Sequence, residues 1–136
     1  MQEVHEVTQQ ELLAEQIERF ISSNVNRRLS TARIAAELRY NPDYLGRVYR
    51  SSKGHSITDA IHRRKVKEAR ALLGDNELTV LEIADACGFR DVGYFRRVFK
   101  GLAGMTPTQF RQLYSHSHIN THYAAPHASR LLTNRS

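Results

Sequence analysis

The residues best suited to recognition chemistry form two short basic segments with the same spacing. Arg47 is followed three residues later by Arg50, and Arg97 is followed three residues later by Lys100. A guanidinium group is planar and permanently charged, so it can donate two hydrogen bonds to O6 and N7 of guanine, and both arginine and lysine can neutralise phosphate. The two segments therefore indicate a polyanionic partner, with Arg47 and Arg97 as candidate base-reading residues.

The spacing of residues along the sequence does not indicate a catalytic, redox or metal-binding site. The helical part of the sequence contains no Ser/His/Asp or Cys/His arrangement and no phosphate-binding loop, so we predict that the protein is not an enzyme. The single cysteine, Cys87, lies in an apolar stripe, which favours a buried thiol over a redox switch. Four histidines near the C terminus lack acidic or cysteine partners, so we predict a solvated tail rather than a metal site, and no metal or other cofactor: His116, His118, His122 and His127.

Charge is unevenly distributed along the 136 residues, whose net charge is +6. Residues 1–18 hold five glutamates and no lysine or arginine, whereas residues 47–70 hold eight basic residues against two acidic ones. Such a concentration of positive charge favours a polyanionic partner. With 40% hydrophobic residues and no signal-peptide pattern, the sequence predicts small cores, no membrane partner and a cytoplasmic, nucleoid-associated location.

The two basic segments occupy equivalent places in an internal repeat. Residues 29–40 align with residues 78–89, and residues 44–58 align with residues 94–108. The offset grows from 49 to 50 between the halves, so the second copy has one extra residue at a turn. A short helix, a turn and a second short helix form a helix-turn-helix motif. The repeat therefore predicts two such motifs, each with a basic second helix.

Local signals predict about seven helices and no strand. Capping boxes begin the helices at Thr8 and Thr79, other N-caps stand at Ser30, Asn41 and Asp91, and glycines end several helices. We predict an all-α fold with a helix-turn-helix subdomain over 9–55, a long linker helix over 56–74, a second helix-turn-helix subdomain over 75–114 and a mobile tail over 115–136. Four aromatic residues at helical spacing are predicted to pack in the cores rather than stack on nucleobases: Tyr40, Tyr49, Phe89 and Phe99.

Two segments of the second copy resemble the signature of the AraC/XylS family of bacterial transcription regulators. They read GFRDVGYFRRVFK over residues 88–100 and GMTPTQFR over residues 104–111, and the resemblance extends over about residues 10–114. It implies a homeodomain-like arrangement of two helix-turn-helix subdomains, with recognition helices in successive major grooves of promoter DNA. It also implies RNA polymerase as a second partner and a monomeric DNA-binding unit, which is either a small stand-alone regulator or part of a longer protein that can dimerise through a domain not present here.

The resemblance also assigns roles to individual positions. Its base-contacting positions fall on Asp43, Gly46 and Arg47 in the first copy, and on Val92, Gly93, Tyr94 and Arg97 in the second. Phosphate contacts are predicted for the remaining basic residues of the recognition helices and for a basic run in the linker helix, where a solvated face is the alternative: Arg50, Arg96, Lys100, Arg63, Arg64 and Lys65.

One departure from the family pattern affects the first turn. Arg39 stands where the family usually has a glycine, so we expect the first turn either to hold a strained left-handed residue or to have a different shape. Two other function classes also fit a basic helical chain: a non-specific architectural DNA-binding protein and a helical protein-docking adapter.

Overall fold

The computed structural model describes residues 7–75 and 77–120, with side chains only through residue 115. These residues form seven helices and no strand: α1 (Gln9–Ser23), α2 (Thr31–Leu38), α3 (Pro42–Lys53), α4 (Ile57–Leu73), α5 (Val80–Ala86), α6 (Val92–Ala103) and α7 (Pro107–Asn120). The predicted all-α class is confirmed. None of the described helices is both long and apolar enough to cross a membrane.

Short polar signals begin the helices at the predicted places. The Thr8 hydroxyl accepts a hydrogen bond from the Glu11 backbone N–H at 3.0 Å, and the Glu11 carboxylate accepts one from the Thr8 backbone N–H at 3.0 Å. The same reciprocal pair forms between Thr79 and Glu82 at the start of α5. Each such cap satisfies N–H groups that have no partner within the helix, and contributes about 1 kcal/mol.

The last helix is longer than the sequence predicts. The predicted mobile tail begins at residue 115, so the last helix is predicted to end near Tyr114, but α7 continues to Asn120. No glycine or proline interrupts residues 108–120, so nothing in the local sequence stops the helix. The remainder of the predicted tail, residues 121–136, lies outside the described residues.

The turn of each helix-turn-helix motif contains one left-handed residue. In the first copy this residue is Arg39, with φ 66° and ψ 48°, and in the second it is Gly88, with φ 77°. The residue that follows it donates a backbone hydrogen bond back into the preceding helix, from Tyr40 to Ala35 and from Phe89 to Ala84. Of the two alternatives for the first turn, the structure has the left-handed arginine, which costs roughly 1–2 kcal/mol relative to an unstrained residue.

The chain divides between Arg64 and Lys65 into two compact units. The first unit has a core of side chains from α1, α2, α3 and the first half of α4, with Ile57 and Ile61 as the contribution of α4. The second unit has a core that includes Val66, Ala69 and Leu73 from the second half of α4, together with residues of α5 and α6. The helix predicted as a separate linker is therefore built into both units.

Arg111 of α7 fastens the second unit. Its Nε donates to the Leu73 carbonyl at 3.1 Å, and its Nη2 donates to the carbonyls of Asp75, at 3.1 Å, and Leu78. One half-buried guanidinium thus satisfies three backbone acceptors at the end of α4 and in the loop before α5. This connection was not predicted from the sequence, because its two ends are more than thirty residues apart.

Three of the four aromatic residues predicted for the cores are buried, and one is not. Tyr49, Phe89 and Phe99 are buried, whereas Tyr40 is 40% exposed. The prediction for Tyr40 is wrong. The residue directly follows the left-handed Arg39, and its ring lies against the ring of Tyr44, with centroids 6.0 Å apart and planes 22° apart.

Candidate nucleic-acid interface

The first recognition helix, α3, has a buried face and an outward face. Asn41 is its N-cap, with the side-chain oxygen accepting from the Tyr44 backbone N–H at 3.0 Å, and Pro42 occupies the first helical position. The buried face consists of Leu45, Val48 and Tyr49, which belong to the core of the first unit. The helix is thereby fixed by its cap and by its apolar side, and its polar side is left for a ligand.

The predicted residues of the first copy share the polar side of α3. Asp43, Arg47 and Arg50 are exposed and Gly46 is half-buried. Their spacing of three or four residues puts them on one helical face. Asp43 lies in the first turn but is not the cap, since Asn41 fills that role, so its carboxylate faces outward near the positive end of the helix dipole.

Lys53, near the end of α3, forms ion pairs within the protein. The Lys53 ammonium lies 2.8 Å from the Glu15 carboxylate and 3.5 Å from that of Glu18, and the hydrogen bond with Glu15 raises the pKa of Lys53. The Tyr49 hydroxyl donates to Glu18 at 2.8 Å, and burial followed by this contact raises the pKa of the phenol. Acidic residues of α1 therefore hold the inner side of α3 in place.

The second recognition helix, α6, repeats this design. Asp91 is its N-cap and accepts from the Tyr94 backbone N–H at 2.7 Å, while Phe95 and Phe99 are buried on the inner face. On the outer face the predicted contact residues separate by exposure. Exposed side chains are those of Tyr94, Arg96, Arg97 and Lys100, and half-buried positions are Val92 and Gly93. Val92 also packs against the core of the second unit, so only part of its side chain faces outward.

The candidate base-reading arginines have the same neighbour in both copies. The Arg47 guanidinium carbon lies 5.8 Å from the centre of the Tyr44 ring, and that of Arg97 lies 5.7 Å from the centre of the Tyr94 ring. Tyr44 was not among the predicted site residues. The signal that identifies it is its alignment with Tyr94 in the repeat, three residues before an arginine in each case.

The basic run in α4 does not form one surface. Arg63 is exposed and Arg64 is half-buried, but Lys65 is only 3% exposed. The Lys65 ammonium donates to the Cys87 carbonyl at 2.6 Å and lies 5.8 Å from the centre of the Phe89 ring. Burial lowers its pKa from the usual 10.5 to about 8. The prediction that Lys65 contacts phosphate is therefore corrected, because its charged group points into the core.

Helical spacing alone predicts that Lys65 lies on the buried side of α4. It follows Ile61 by four residues and precedes Ala69 by four, so it lies on the buried stripe of α4. Its neighbour Cys87 is fully buried, as predicted. In the described part of the chain no three histidine, cysteine or acidic side chains are grouped as a metal site would require. The side chains of the four C-terminal histidines lie outside the described residues.

Comparison with known proteins identifies a domain family and relatives to which this chain is similar. A family model described as a helix-turn-helix domain matches residues 34–113. The regulator YfiF of Bacillus subtilis (strain 168), an uncharacterised helix-turn-helix-type transcriptional regulator, is 32% identical over 105 residues, which are 77% of this chain and 33% of that protein. The chain spans less than half the length of the curated relatives YfiF and the Msm operon regulatory protein of Streptococcus mutans.

Solved structures show the same fold. The C-terminal domain of AraT, a response regulator from Geobacillus stearothermophilus, superposes with a TM-score of 0.72 at 25% identity, covering 78% of this chain and 88% of that one. A probable AraC family transcriptional regulator from Rhodopseudomonas palustris has a TM-score of 0.67 at 25% identity, covering 76% and 97%. The family match over residues 34–113 runs from α2 into α7 and so includes both recognition helices.

Proposed function

Because the chain belongs to the AraC/XylS family of transcription regulators, we propose that it binds promoter DNA sequence-specifically through α3 and α6, one in each of two successive major grooves. One observation carries the proposal. In both copies of the repeat, the outward face of the second helix presents an arginine that lies on a tyrosine ring, while the inner face is sealed into a core. A buried inner face with a basic outer face suits a helix that lies in a major groove and contacts base edges.

We assign base reading mainly to Arg47 and Arg97. A guanidinium that donates two hydrogen bonds to one guanine contributes about 1–3 kcal/mol of discrimination against other bases. The other proposed base-contacting positions have smaller capacities: Asp43 can accept from cytosine N4, Tyr94 carries a hydroxyl, Val92 offers an apolar contact, and Gly46 and Gly93 only allow close approach. Phosphate contacts are assigned to the exposed or half-buried basic residues Arg50, Arg63, Arg64, Arg96 and Lys100.

The decisive experiment separates base reading from charge. A duplex is selected from random DNA with the intact chain, and Arg97→Ala is compared with Arg19→Ala, which removes the same charge from an exposed position on α1. Arg97→Ala should weaken binding to the selected duplex by about 1–3 kcal/mol and binding to random DNA very little. Arg19→Ala should leave the preference for the selected duplex unchanged. Equal losses of Arg97→Ala on both duplexes would make Arg97 a phosphate contact.

Salt dependence tests the proposed phosphate contacts. Affinity should fall with a log-log slope of roughly −0.9 for each phosphate neutralised, so five contacts would give a slope of about −4 to −5. Replacing Arg50 with alanine should reduce that slope by about one. A nearly flat response would exclude the basic surface.

The same binding measurements decide between this proposal and the two other function classes. Equal affinity for selected and random duplexes would identify a non-specific architectural protein. No affinity for either would favour a protein-docking adapter. A regulator prefers its own site by a factor on the order of a thousand or more.

For the whole protein, we propose a cytoplasmic, nucleoid-associated and non-enzymatic regulator that contacts RNA polymerase. We further propose that this DNA-binding unit is monomeric and that dimerisation uses a domain outside the present chain. Sedimentation of this chain alone should then give a monomer, and transcription in vitro from a promoter carrying the selected site should change when the full-length protein is added. A stable dimer of this chain would contradict the assignment of dimerisation to another domain.

A further inference from the structure

A stack of an aromatic ring, a tyrosine and an arginine occupies the same place in both copies. In the first copy the Tyr40 and Tyr44 ring centroids are 6.0 Å apart, and the Arg47 guanidinium carbon lies 5.8 Å from the Tyr44 centroid. In the second, the Phe89 and Tyr94 centroids are also 6.0 Å apart, with the ring planes tilted by 59° rather than the 22° of the first copy, and Arg97 lies 5.7 Å from the Tyr94 centroid. The second turn has one extra residue, yet the distances agree.

The recurrence indicates that the stack has a role beyond filling space. Arginine has a long side chain that loses rotamer freedom when it binds a base, and this loss weakens recognition. A guanidinium within about 6 Å of an aromatic centroid is held there by attraction to the ring. Because Tyr44 and Tyr94 each precede the arginine by three residues, ring and guanidinium share one side of the helix.

The base of the stack differs between the copies. Phe89 is only 5% exposed and its ring also contacts the buried Phe95, with centroids 5.1 Å apart. Tyr40 at the equivalent position is 40% exposed. The second tyrosine therefore rests on the core of its unit, whereas the first rests on a surface residue.

The absence of a side chain at Gly93 leaves space beside the guanidinium of Arg97. A Cβ at this position would lie 3.3 Å from the capping oxygen of Asp91 and 3.9 Å from the Arg97 Nη1 atom. The first distance is tight, so a side chain at position 93 would press on the cap and stand beside the guanidinium. In α3 an added Cβ at Gly46 meets nothing within 4 Å.

We propose that Tyr44 and Tyr94 are positioning residues whose rings hold the guanidinium groups of Arg47 and Arg97 in place to donate hydrogen bonds to guanine; this proposal rests on the proposed function. The ring acts through the arginine, so for Tyr94 this positioning role replaces the direct base contact of the hydroxyl that was assigned to the same position under the proposed function. The second stack holds its arginine more firmly, because Phe89 anchors it in the core.

The test compares Tyr94→Phe with Tyr94→Leu in the full chain. Affinities are measured by fluorescence anisotropy for a duplex selected with the intact chain, for versions of it with each base pair replaced in turn, and for random DNA. Tyr94→Phe keeps the ring and should keep the discrimination between these duplexes. Tyr94→Leu should reduce discrimination at the base pair read by Arg97 by about two- to fivefold, with affinity for random DNA unchanged.

A double-mutant cycle shows whether the effect passes through the arginine. In an Arg97→Ala background, Tyr94→Leu should have no further effect on discrimination. A full effect of Tyr94→Leu without the guanidinium would overturn the proposal. So would an equal loss in Tyr94→Phe, which would mean that the hydroxyl itself reads the base. Failure of the proposed function gives a different result, because the unaltered chain would then bind all duplexes alike.

The first copy supplies an independent variant if Tyr94→Leu fails to fold. Tyr44 rests on the exposed Tyr40, so Tyr44→Leu should leave the thermal midpoint unchanged and still reduce discrimination at the base pair read by Arg47. We expect a smaller reduction than for Tyr94→Leu, since the first stack has no anchor in the core. No reduction in Tyr44→Leu would overturn the positioning role of Tyr44, and a larger one would overturn the role of Phe89 as an anchor.

Discussion

Replacing Lys65 with methionine should remove a pH dependence from the stability of the second unit. Burial lowers the pKa of this lysine from 10.5 to about 8 in the folded protein. Below pH 8 both the folded and the unfolded chain hold the proton, so the full cost of burying the charge is present. Between pH 8 and 10.5 the folded chain releases a proton that the unfolded chain still binds, so the free energy of unfolding rises with pH. For this shift the rise between pH 7 and pH 9.5 is about 2 kcal/mol.

Urea unfolding followed by circular dichroism at several pH values between 7 and 9.5 measures this effect. The difference in unfolding free energy between the unaltered chain and Lys65→Met should grow by about 2 kcal/mol over that range, because titrating groups that do not interact with Lys65 cancel in the difference. The lost hydrogen bond to the Cys87 carbonyl adds a part that does not change with pH. Lys67→Met, at an exposed position of the same helix, is the matched control and should give a constant difference. A constant difference for Lys65→Met as well would refute the buried ammonium.

Three further predictions concern stability. Arg111→Ala should lower the free energy of unfolding by about 3 kcal/mol, because three carbonyls lose one charged donor; a loss below about 1 kcal/mol in urea unfolding would contradict this. Gly46→Ala and Gly101→Ala should each stabilise by up to about 1 kcal/mol, since the added Cβ meets nothing within 4 Å. Only Gly46→Ala should also change DNA affinity, and equal binding effects would remove Gly46 from the interface. Arg39→Gly should stabilise by about 0.5–1 kcal/mol, and an unchanged or lower thermal midpoint would show that the left-handed turn is not strained.

Most of the fold could be predicted because its signals are local. A threonine and a glutamate three residues apart contain both halves of a capping box. Thr8 and Thr79 therefore predict where their helices begin without any tertiary information. The glycine-ended helix α3 and the repeat itself are equally visible in the sequence. The end of α7 is predicted wrongly because no local signal marks it. A helix without a stop residue ends where its packing or its exposure to solvent decides.

The site was harder to predict because side-chain direction depends on packing. In the linker helix, Lys65 was grouped with its two basic neighbours by charge, although its helical spacing from Ile61 and Ala69 places it on the buried stripe. Tyr40 aligns with the buried Phe89 in the repeat, but it ends up on the surface. The stacking of the arginines on tyrosines needs coordinates, since the spacing only makes such a contact available.

Each recognition helix is supported by its own core, and this has a consequence for how the protein can evolve. In the described residues the first core draws nothing from α4 beyond Ile61 and the second begins at Val66, so the two share no buried side chain. Substitutions placed one in each core should therefore have additive effects on stability. Under the proposed function, a substitution that weakens the support of α6 should leave the support of α3 unchanged, so a lineage of such chains can change its two proposed DNA contacts one at a time.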